Sequence, residues 1–330
     1  MSSMLDSLGL PGNSALLVVA VVMLFYGAEW LVRGGSNLAR IFGVKPMVVG
    51  LTIVAFGTSM PEFVVSLIAN VWKDSASIAI GNIIGSNITN IGLILGLSGL
   101  IFPIVIHFSI IYKQLVILFL CGILLYAFSL NGMVGRWEGL VLTLALLGYI
   151  YYLYRHPDEA PQEDLGDEVG GVVPNALFVL LGSTALSTGA WLFVESAVWI
   201  AEEFQVPKLI IGLTIVAMGT SLPELATSLV AAFRKQNEIS VGNIVGSNIF
   251  NILFIMGGVG LIKPLSVLET RMVDGVAVEY FPHTQYILML LFGLILIPLG
   301  LRHRIGRLTG TILVSGYVGF YVYLFLRFGQ

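Results

Sequence analysis

Long apolar runs separated by short polar turns follow one another along the whole chain. Each run holds about 18 to 28 residues, which is enough for a helix to cross a hydrocarbon layer ~30 Å thick. The pattern therefore predicts an all-α polytopic membrane protein with ten transmembrane helices. The predicted spans are residues 15–32, 47–71, 78–102, 112–129, 137–154, 173–200, 208–233, 239–262, 284–301 and 305–326.

A polar segment divides these spans into two groups of five. Residues 155–172 are rich in Asp, Glu, Pro and Gly, a composition typical of a solvated linker, and the segment is too short to be a regulatory domain. The predicted organisation is a first five-helix half at residues 1–154, an acidic linker at residues 155–172 and a second five-helix half at residues 173–330.

The two halves carry copies of the same two segments. Residues 50–67 (GLTIVAFGTSMPEFVVSL) match residues 212–229 (GLTIVAMGTSLPELATSL) at 13 of 18 positions. Residues 81–91 (GNIIGSNITNI) match residues 242–252 (GNIVGSNIFNI) at 9 of 11 positions. The copies begin five spans apart, and this odd separation means that the second copy enters the membrane from the opposite face. The sequence therefore predicts two inverted repeats, with a functional site near the midplane where they meet.

Each copy places a carboxylate inside an apolar span, Glu62 in GTSMPEF and Glu224 in GTSLPEL. A charged side chain near the centre of a membrane helix costs about 2.5 to 3.5 kcal/mol, so it needs a compensating partner. Two buried carboxylates also repel each other unless a counter-ion or protons separate their charges. We interpret the missing partner as a cation.

Further oxygen ligands are predicted next to each glutamate. On a helix, Ala55, Thr58 and Ser59 share a face with Glu62. Pro61 has no N–H to give to the preceding turn, which leaves backbone oxygens there for another use. Carboxylate, carbonyl and hydroxyl oxygens are the ligands of hard cations such as Ca²⁺ and Na⁺. The second copy repeats the set with Ala217, Thr220, Ser221, Pro223 and Glu224.

The next span of each half adds neutral oxygens. Ser86 and Asn90 lie four residues apart on one helix face, and Ser247 and Asn251 repeat the spacing. For any one of these residues an alternative stays open, because a membrane proline is often only a kink and Ser or Thr often bonds to its own helix. Two further asparagines, interpreted as helix-packing or backbone-bonding groups, are Asn82 and Asn243.

Composition agrees with the membrane prediction and excludes several other classes. The 330 residues are 57% hydrophobic and 11% charged, with a mean hydropathy of +0.95. The net charge of -3 argues against a nucleic-acid partner, and a single cysteine allows no intrachain disulfide. The expected partners are the lipid bilayer and transported ions, with no protein partner and no cofactor. We expect the first span to be retained, because no cleavage site follows it.

The basic residues predict an orientation. Ten Lys and Arg residues fall on one predicted face and six on the other, which favours both termini outside and the linker in the cytoplasm. The larger group is Arg33, Arg40, Lys45, Lys113, Arg155, Arg234, Lys235, Arg302, Arg304 and Arg307. The smaller group is Lys73, Arg136, Lys208, Lys263, Arg271 and Arg327.

At the two GTS-x-PE segments, each followed by GN-x-x-GSN, the chain resembles the cation/calcium exchanger superfamily, most closely the prokaryotic sodium/calcium exchangers. The resemblance covers essentially the whole chain. It implies exchange of one Ca²⁺ for three Na⁺ at four clustered midplane sites. It also implies that Glu62 and Glu224 bind Ca²⁺ and that Thr58 and Thr220 contribute backbone oxygens. The implied remaining ligands are Ala55, Ser59, Ser86, Ala217, Ser221 and Ser247 for Na⁺, with Asn90 and Asn251 in the central layer.

Other functions remain as alternatives to sodium-driven exchange. A proton-coupled antiporter for Ca²⁺ or another divalent cation would use the same two glutamates, and a cation channel would use similar oxygens. The chain is not expected to be an enzyme, because every Asp lies outside the predicted spans and this disfavours an intramembrane aspartyl hydrolase. Some relatives, including potassium-dependent ones, carry Asp where this chain has Asn251, so K⁺ transport is not expected.

Overall fold

The computed structural model describes residues 2–73, 75–105, 108–156, 170–206, 215, 217–273, 276–300 and 304–328. Most of the predicted linker and the start of the seventh predicted span lie outside this part of the chain. The helices within it are α1 (Ser2–Phe42), α2 (Pro46–Thr58), α3 (Met60–Val71), α4 (Ala76–Ile101), α5 (Phe108–Ser129), α6 (Arg136–Arg155), α7 (Val172–Glu203), α8 (Ala217–Gly219), α9 (Leu222–Phe233), α10 (Asn237–Ile262), α11 (His283–Gly300) and α12 (Arg307–Phe328).

The helices have the length and composition of membrane spans. Among the described residues, six helices are long and apolar enough to cross a bilayer, and the bent pair α2 and α3 makes a seventh span if it is counted as one. Shorter apolar helices occur at Leu222–Phe233 and His283–Pro298. The described helices fall at the positions of the ten predicted spans, and the chain is an integral membrane protein.

The first helix is much longer than predicted. The apolar run ends near residue 32, but α1 contains 41 residues and continues to Phe42. Beyond the run, its polar side chains contact protein instead of water: Ser36 and Asn37 are 3% and 6% exposed, and the Asn37 amide donates to Oδ1 of Asn175 at 2.9 Å. Hydropathy therefore located the apolar part of this helix but not its ends.

Both prolines of the repeated motif stand at a helix start. α2 ends at Thr58 and α3 begins at Met60, with a bend of 44° between them. Ser59 lies at the break with φ -82° and ψ 2°, and Pro61 occupies the first turn of α3, where an N–H would have no helical acceptor. Ser221 precedes α9 with nearly the same angles, φ -87° and ψ 5°. The predicted disturbance of the backbone is thus a complete break in the helix.

Widened, π-helical segments interrupt three of the helices that the structure describes. They are Gly50–Val54 in α2, Asn90–Leu95 in α4 and Asn251–Met256 in α10. Such segments are rare in proteins and frequently lie at functional sites. The last two begin at the paired asparagines of the repeat, so both halves change their helical geometry at the same position.

Short strands join the two halves with the symmetry that inverted repeats require. A strand that follows the third span pairs with a strand between the ninth and tenth spans. In the same way, a strand that follows the eighth span pairs with a strand between the fourth and fifth spans. The two pairings are equivalent, because exchanging the first half for the second converts one into the other. The antiparallel pairs are β1 (Ile104–Val105) with β6 (Arg304–Ile305), β2 (Met133–Val134) with β3 (Leu265–Ser266), and the hairpin β4 (Glu269–Val273) with β5 (Val276–Tyr280). The sequence analysis predicted none of these strands.

α4 and α10 form the centre of the bundle. In an apolar stretch of 18 residues, 72% of the residues of α4 and 83% of those of α10 are buried. The corresponding shares in α1 and α7 are only 33% and 22%. Helices buried on all sides can hold polar groups away from lipid, because other helices surround them. The two central helices are also the ones that carry Ser86, Asn90, Ser247 and Asn251.

α1 and α7 lie against each other through small residues. A Cβ added at Gly182 would lie 2.6 Å from the backbone nitrogen of Leu31 and 2.7 Å from the carbonyl oxygen of Gly27. A Cβ at Gly27 would meet Gly182 in return, at 3.0 Å from its carbonyl oxygen. Small residues at such crossings allow two membrane helices to approach closely.

We expect Gly182→Ala to destabilise the protein by about 1 to 3 kcal/mol, the usual cost of inserting a methyl group into a close contact. The added carbon meets backbone atoms, which cannot rotate away. The measurement is thermal unfolding in detergent, with Gly148→Ala as the control because a Cβ there meets no atom within 4 Å. Equal melting temperatures for the two variants would contradict the close packing of α1 against α7.

Candidate functional site

The two glutamates are buried acceptors with few donors. Glu62 and Glu224 are both 0% exposed. Neither carboxylate oxygen of Glu62 has a hydrogen-bond partner among the described residues, and Oε2 of Glu224 also has none. Oε1 of Glu224 accepts a hydrogen bond from the Ser59 hydroxyl at 3.3 Å. Three of the four oxygens are therefore available to a positively charged ligand.

The broken helices place both carboxylates in a favourable position. Glu62 lies in the first turn of α3 and Glu224 in the first turn of α9. The free N–H groups and the dipole of a helix N-terminus stabilise negative charge there by about 0.3 to 1 kcal/mol at exposed positions, and more where water is excluded. This offsets part of the cost of burying each carboxylate, but it does not neutralise the two charges.

Side chains of the first half contact those of the second. The Thr58 hydroxyl donates to Oδ1 of Asn243 at 3.0 Å and lies 3.2 Å from Oγ of Ser247. Ser59, on the same turn, contacts Glu224 as described above. The structure thus brings Thr58, Ser59, Ser247 and Glu224 together, although they come from segments more than 150 residues apart in the sequence.

The second half reproduces one of these contacts and lacks another. The Thr220 hydroxyl donates to Oδ1 of Asn82 at 3.2 Å, which is the equivalent of the bond from Thr58 to Asn243. Ser221 is buried, but its hydroxyl has no partner among the described residues, whereas the equivalent Ser59 bonds to a glutamate. The two copies therefore share the bond between threonine and asparagine but not the bond between serine and glutamate.

Asn82 and Asn243 link each glutamate to the opposite half. The Asn82 amide donates to the Glu62 carbonyl oxygen at 3.2 Å and to the Ser66 hydroxyl at 2.9 Å. The Asn243 amide donates to the Glu224 carbonyl oxygen at 3.4 Å and to Ser228 at 3.0 Å. These are the backbone bonds expected from the sequence. The additional contact of each Oδ1 with a threonine of the other half was not predicted, although the repeated GN dipeptide marks the position.

Asn90 and Asn251 are fully buried, and neither amide has a partner. Both are 0% exposed, and Oδ1 and Nδ2 of each lack a hydrogen bond to the described residues. Most buried polar atoms in proteins are paired, so four such atoms at the two π-helical segments call for a ligand or water. Each amide oxygen can contact a cation without adding charge.

For the remaining predicted ligands the structure gives burial or position, with few contacts. Ser86 and Ala55 are buried, and the Ala55 carbonyl accepts bonds from the Ser59 N–H at 3.0 Å and the Thr58 hydroxyl at 3.3 Å. Ala217 lies in α8, but its side chain is outside the described part of the structure.

The chemistry of the site suits an exchangeable hard cation. Across the described residues, no group of three or more His, Cys, Asp or Glu side chains could hold a metal ion. The centre instead combines two carboxylates with neutral hydroxyl, amide and carbonyl oxygens, which are the ligands that Ca²⁺ accepts. Among the described residues of this centre, only the glutamates supply formal charge.

Comparisons with known proteins cover nearly all of the chain. The family model described as sodium/calcium exchanger protein matches residues 13–155 and 175–326. The putative antiporter CaxA of Alkalimonas amylolytica is 36% identical over 94% of this chain and 97% of its own length. The sodium/calcium exchanger MaX1 of Methanosarcina acetivorans is 31% identical over 95% of this chain and 98% of its own.

The fold is similar to that of a solved structure. The sodium-calcium exchanger NCX_Mj, soaked with Na⁺ and Ca²⁺, superimposes with a TM-score of 0.77 at 30% sequence identity. The superposition covers 93% of this chain and 96% of that chain.

We expect Glu62→Gln to raise the melting temperature in cation-free buffer, because it replaces an unpaired buried charge with a neutral amide. Ca²⁺ should stabilise the wild type by about 2.7 kcal/mol at a hundred times its dissociation constant, and the variant much less. Thermal unfolding in detergent with a chelator and with Ca²⁺ measures both effects. Glu203→Gln, at the exposed end of α7, is the control. Equal responses of wild type and Glu62→Gln to Ca²⁺ would exclude Glu62 as a cation ligand.

Proposed function

The chain belongs to the family of sodium/calcium exchanger proteins, and from this premise we propose that it is an antiporter in which a sodium gradient drives Ca²⁺ across the membrane. The observation that carries the proposal is the pair of fully buried glutamates, one from each half, with three carboxylate oxygens unpartnered. Such a pair requires positive charge, and a divalent ion supplies all of it at once.

We propose that Ca²⁺ binds between Glu62 and Glu224, with backbone oxygens of Thr58 and Thr220 as further ligands. The bond between Ser59 and Glu224 and the approach of Thr58 to Ser247 support a shared site, because they join the ligand sets of the two halves. Asn90 and Asn251 lie in the central layer as neutral ligands. The residues assigned to the sodium sites are Ala55, Ser59, Ser86, Ala217, Ser221 and Ser247.

The charges of the site determine the charge moved in each cycle. Two carboxylates and one Ca²⁺ form a neutral cluster, whereas the same carboxylates with three Na⁺ carry one positive charge. A 3:1 exchange therefore moves one net charge, and the membrane potential acts on it with about 2.3 kcal/mol per 100 mV.

The free-energy cost of closing the site without a cation makes the exchange of one ion for the other obligatory. Without a cation the site is a buried dianion, and the effective desolvation penalty is several kcal/mol per ion. The protein therefore passes between its two access states only when Ca²⁺ or Na⁺ is bound. Movement of one inverted half against the other then opens the midplane site to each side of the membrane in turn, which is alternating access.

Proton-coupled transport on the same fold is the second candidate. Protons in place of Na⁺ would need only the two glutamates, and would leave the unpartnered amides of Asn90 and Asn251 without a role. The neutral oxygens of these two amides therefore favour Na⁺ over H⁺ as the coupling ion.

We place the protein in the plasma membrane of a prokaryotic cell, with both termini outside and the linker in the cytoplasm. The bacterial and archaeal relatives support the location, and the distribution of Lys and Arg supports the orientation.

We expect Glu62→Gln and Glu224→Gln each to reduce Ca²⁺ exchange to background, because each removes half of the charge that holds the divalent ion. The measurement is ⁴⁵Ca²⁺ uptake into sodium-loaded proteoliposomes. Glu203→Gln controls for loss of a carboxylate elsewhere, and the melting temperature of each variant shows that it is folded. Normal uptake by either site variant would refute the assignment.

We expect the wild type to need no K⁺ and Asn251→Asp to retain sodium-driven exchange at neutral pH. Protonated Asp has nearly the shape of Asn, and two carboxylates nearby favour its neutral form. Exchange is measured with Na⁺ fixed and K⁺ replaced by choline. Loss of wild-type activity on removing K⁺ would show that the interpretation of Asn251 is wrong.

A further inference from the structure

A small void lies between the central helices and their neighbours α5 and α11, and its lining includes none of the proposed ion ligands. The centre of a water molecule can occupy about 10 Å³ of it, which is room for one water. Most of the lining is apolar, but one asparagine from each half, Asn87 and Asn248, also contributes to it.

Both asparagines present an unsatisfied acceptor. They are 1% and 0% exposed. Each amide nitrogen donates to the carbonyl four residues earlier, Ile83 or Ile244, at 2.9 Å. This fixes the amide orientation, because the reversed amide would place an oxygen against a carbonyl oxygen. Each Oδ1 then has no partner among the described residues, and a buried acceptor of this kind calls for a donor.

The lining consists of matched pairs from the two halves. Asn87 pairs with Asn248 in the aligned repeat. Phe119 and Gly122 of α5 have the same spacing as Leu290 and Gly293 of α11. The void is therefore lined by equivalent positions of the two halves, and each half contributes one asparagine with an unsatisfied acceptor.

We propose that one ordered water molecule occupies this void and donates one hydrogen bond to Oδ1 of Asn87 and the other to Oδ1 of Asn248. Water has two equivalent hydrogens, one for the acceptor of each half. A monovalent cation would find only two side-chain oxygens in an otherwise apolar lining, which is too few to replace its hydration. The water ties α4 to α10 and so joins the two halves.

A structure of the purified wild-type protein at a resolution that shows ordered water tests the proposal without a transport assay. We expect one peak at hydrogen-bond distance, about 2.8 Å, from both Oδ1 atoms. Gly293→Ala should remove the peak, because Gly293 is buried and a Cβ there meets no atom within 4 Å. Gly319→Ala, also with open space at its Cβ but on α12, should leave it.

Three results would overturn the proposal. They are an empty void in the wild type, a peak that survives Gly293→Ala, and an anomalous peak after a Tl⁺ soak, which would show a cation instead of water.

A double-mutant cycle tests the shared ligand in solution. Asn87→Leu and Asn248→Leu should each lower the melting temperature, because each leaves the water with a single acceptor. The double variant removes both acceptors and should recover part of the loss. Additive losses would show that the two asparagines do not share a ligand.

Discussion

Two carboxylates buried in the membrane with too few hydrogen-bond donors determine how the helices around them are arranged. Glu62 and Glu224 each follow a break in a span, and this break supplies the N-terminus of a helix to a negative charge at membrane depth. The central helices α4 and α10 carry the neutral oxygens and are enclosed by the rest of the bundle. This arrangement suits a cation, and in the proposed function the transported ion balances the remaining charge.

The two halves are equivalent in sequence at the site but not in their contacts. Ser59 bonds to Glu224, whereas Ser221 leaves Glu62 without the corresponding bond. Thr58 and Thr220 make equivalent bonds to Asn243 and Asn82, but among the described residues only Thr58 also approaches a serine of the other half, Ser247. The proposed alternating access requires a second conformation in which the halves exchange roles, and these unequal contacts are the ones that such an exchange would reverse.

Much of this architecture could be predicted from the sequence, because it depends on local patterns. Apolar runs locate the spans, the odd separation of the copies predicts their inversion, and Pro61 predicts freed backbone oxygens before Glu62, although the complete break in the helix was not predicted. The end of α1 could not be found in this way, since it depends on tertiary contacts: Asn37 bonds to Asn175 of α7, and Ser36 bonds to Gln236. The π-helical segments and the contacts of Asn82 and Asn243 with the opposite half depend on tertiary structure. The β4–β5 hairpin had a local signal that the sequence analysis missed: the Asp-Gly dipeptide between its strands favours a two-residue turn.

In the proposed mechanism the buried pair of glutamates couples Ca²⁺ to Na⁺ with net movement of charge. The most direct measurement is ⁴⁵Ca²⁺ uptake by proteoliposomes with imposed Na⁺, K⁺ or H⁺ gradients at a clamped membrane potential. The account predicts uptake only with an outward Na⁺ gradient, and faster uptake when the interior is positive, because one net positive charge leaves with each cycle. Uptake driven equally well by a proton gradient in the absence of Na⁺ would contradict it.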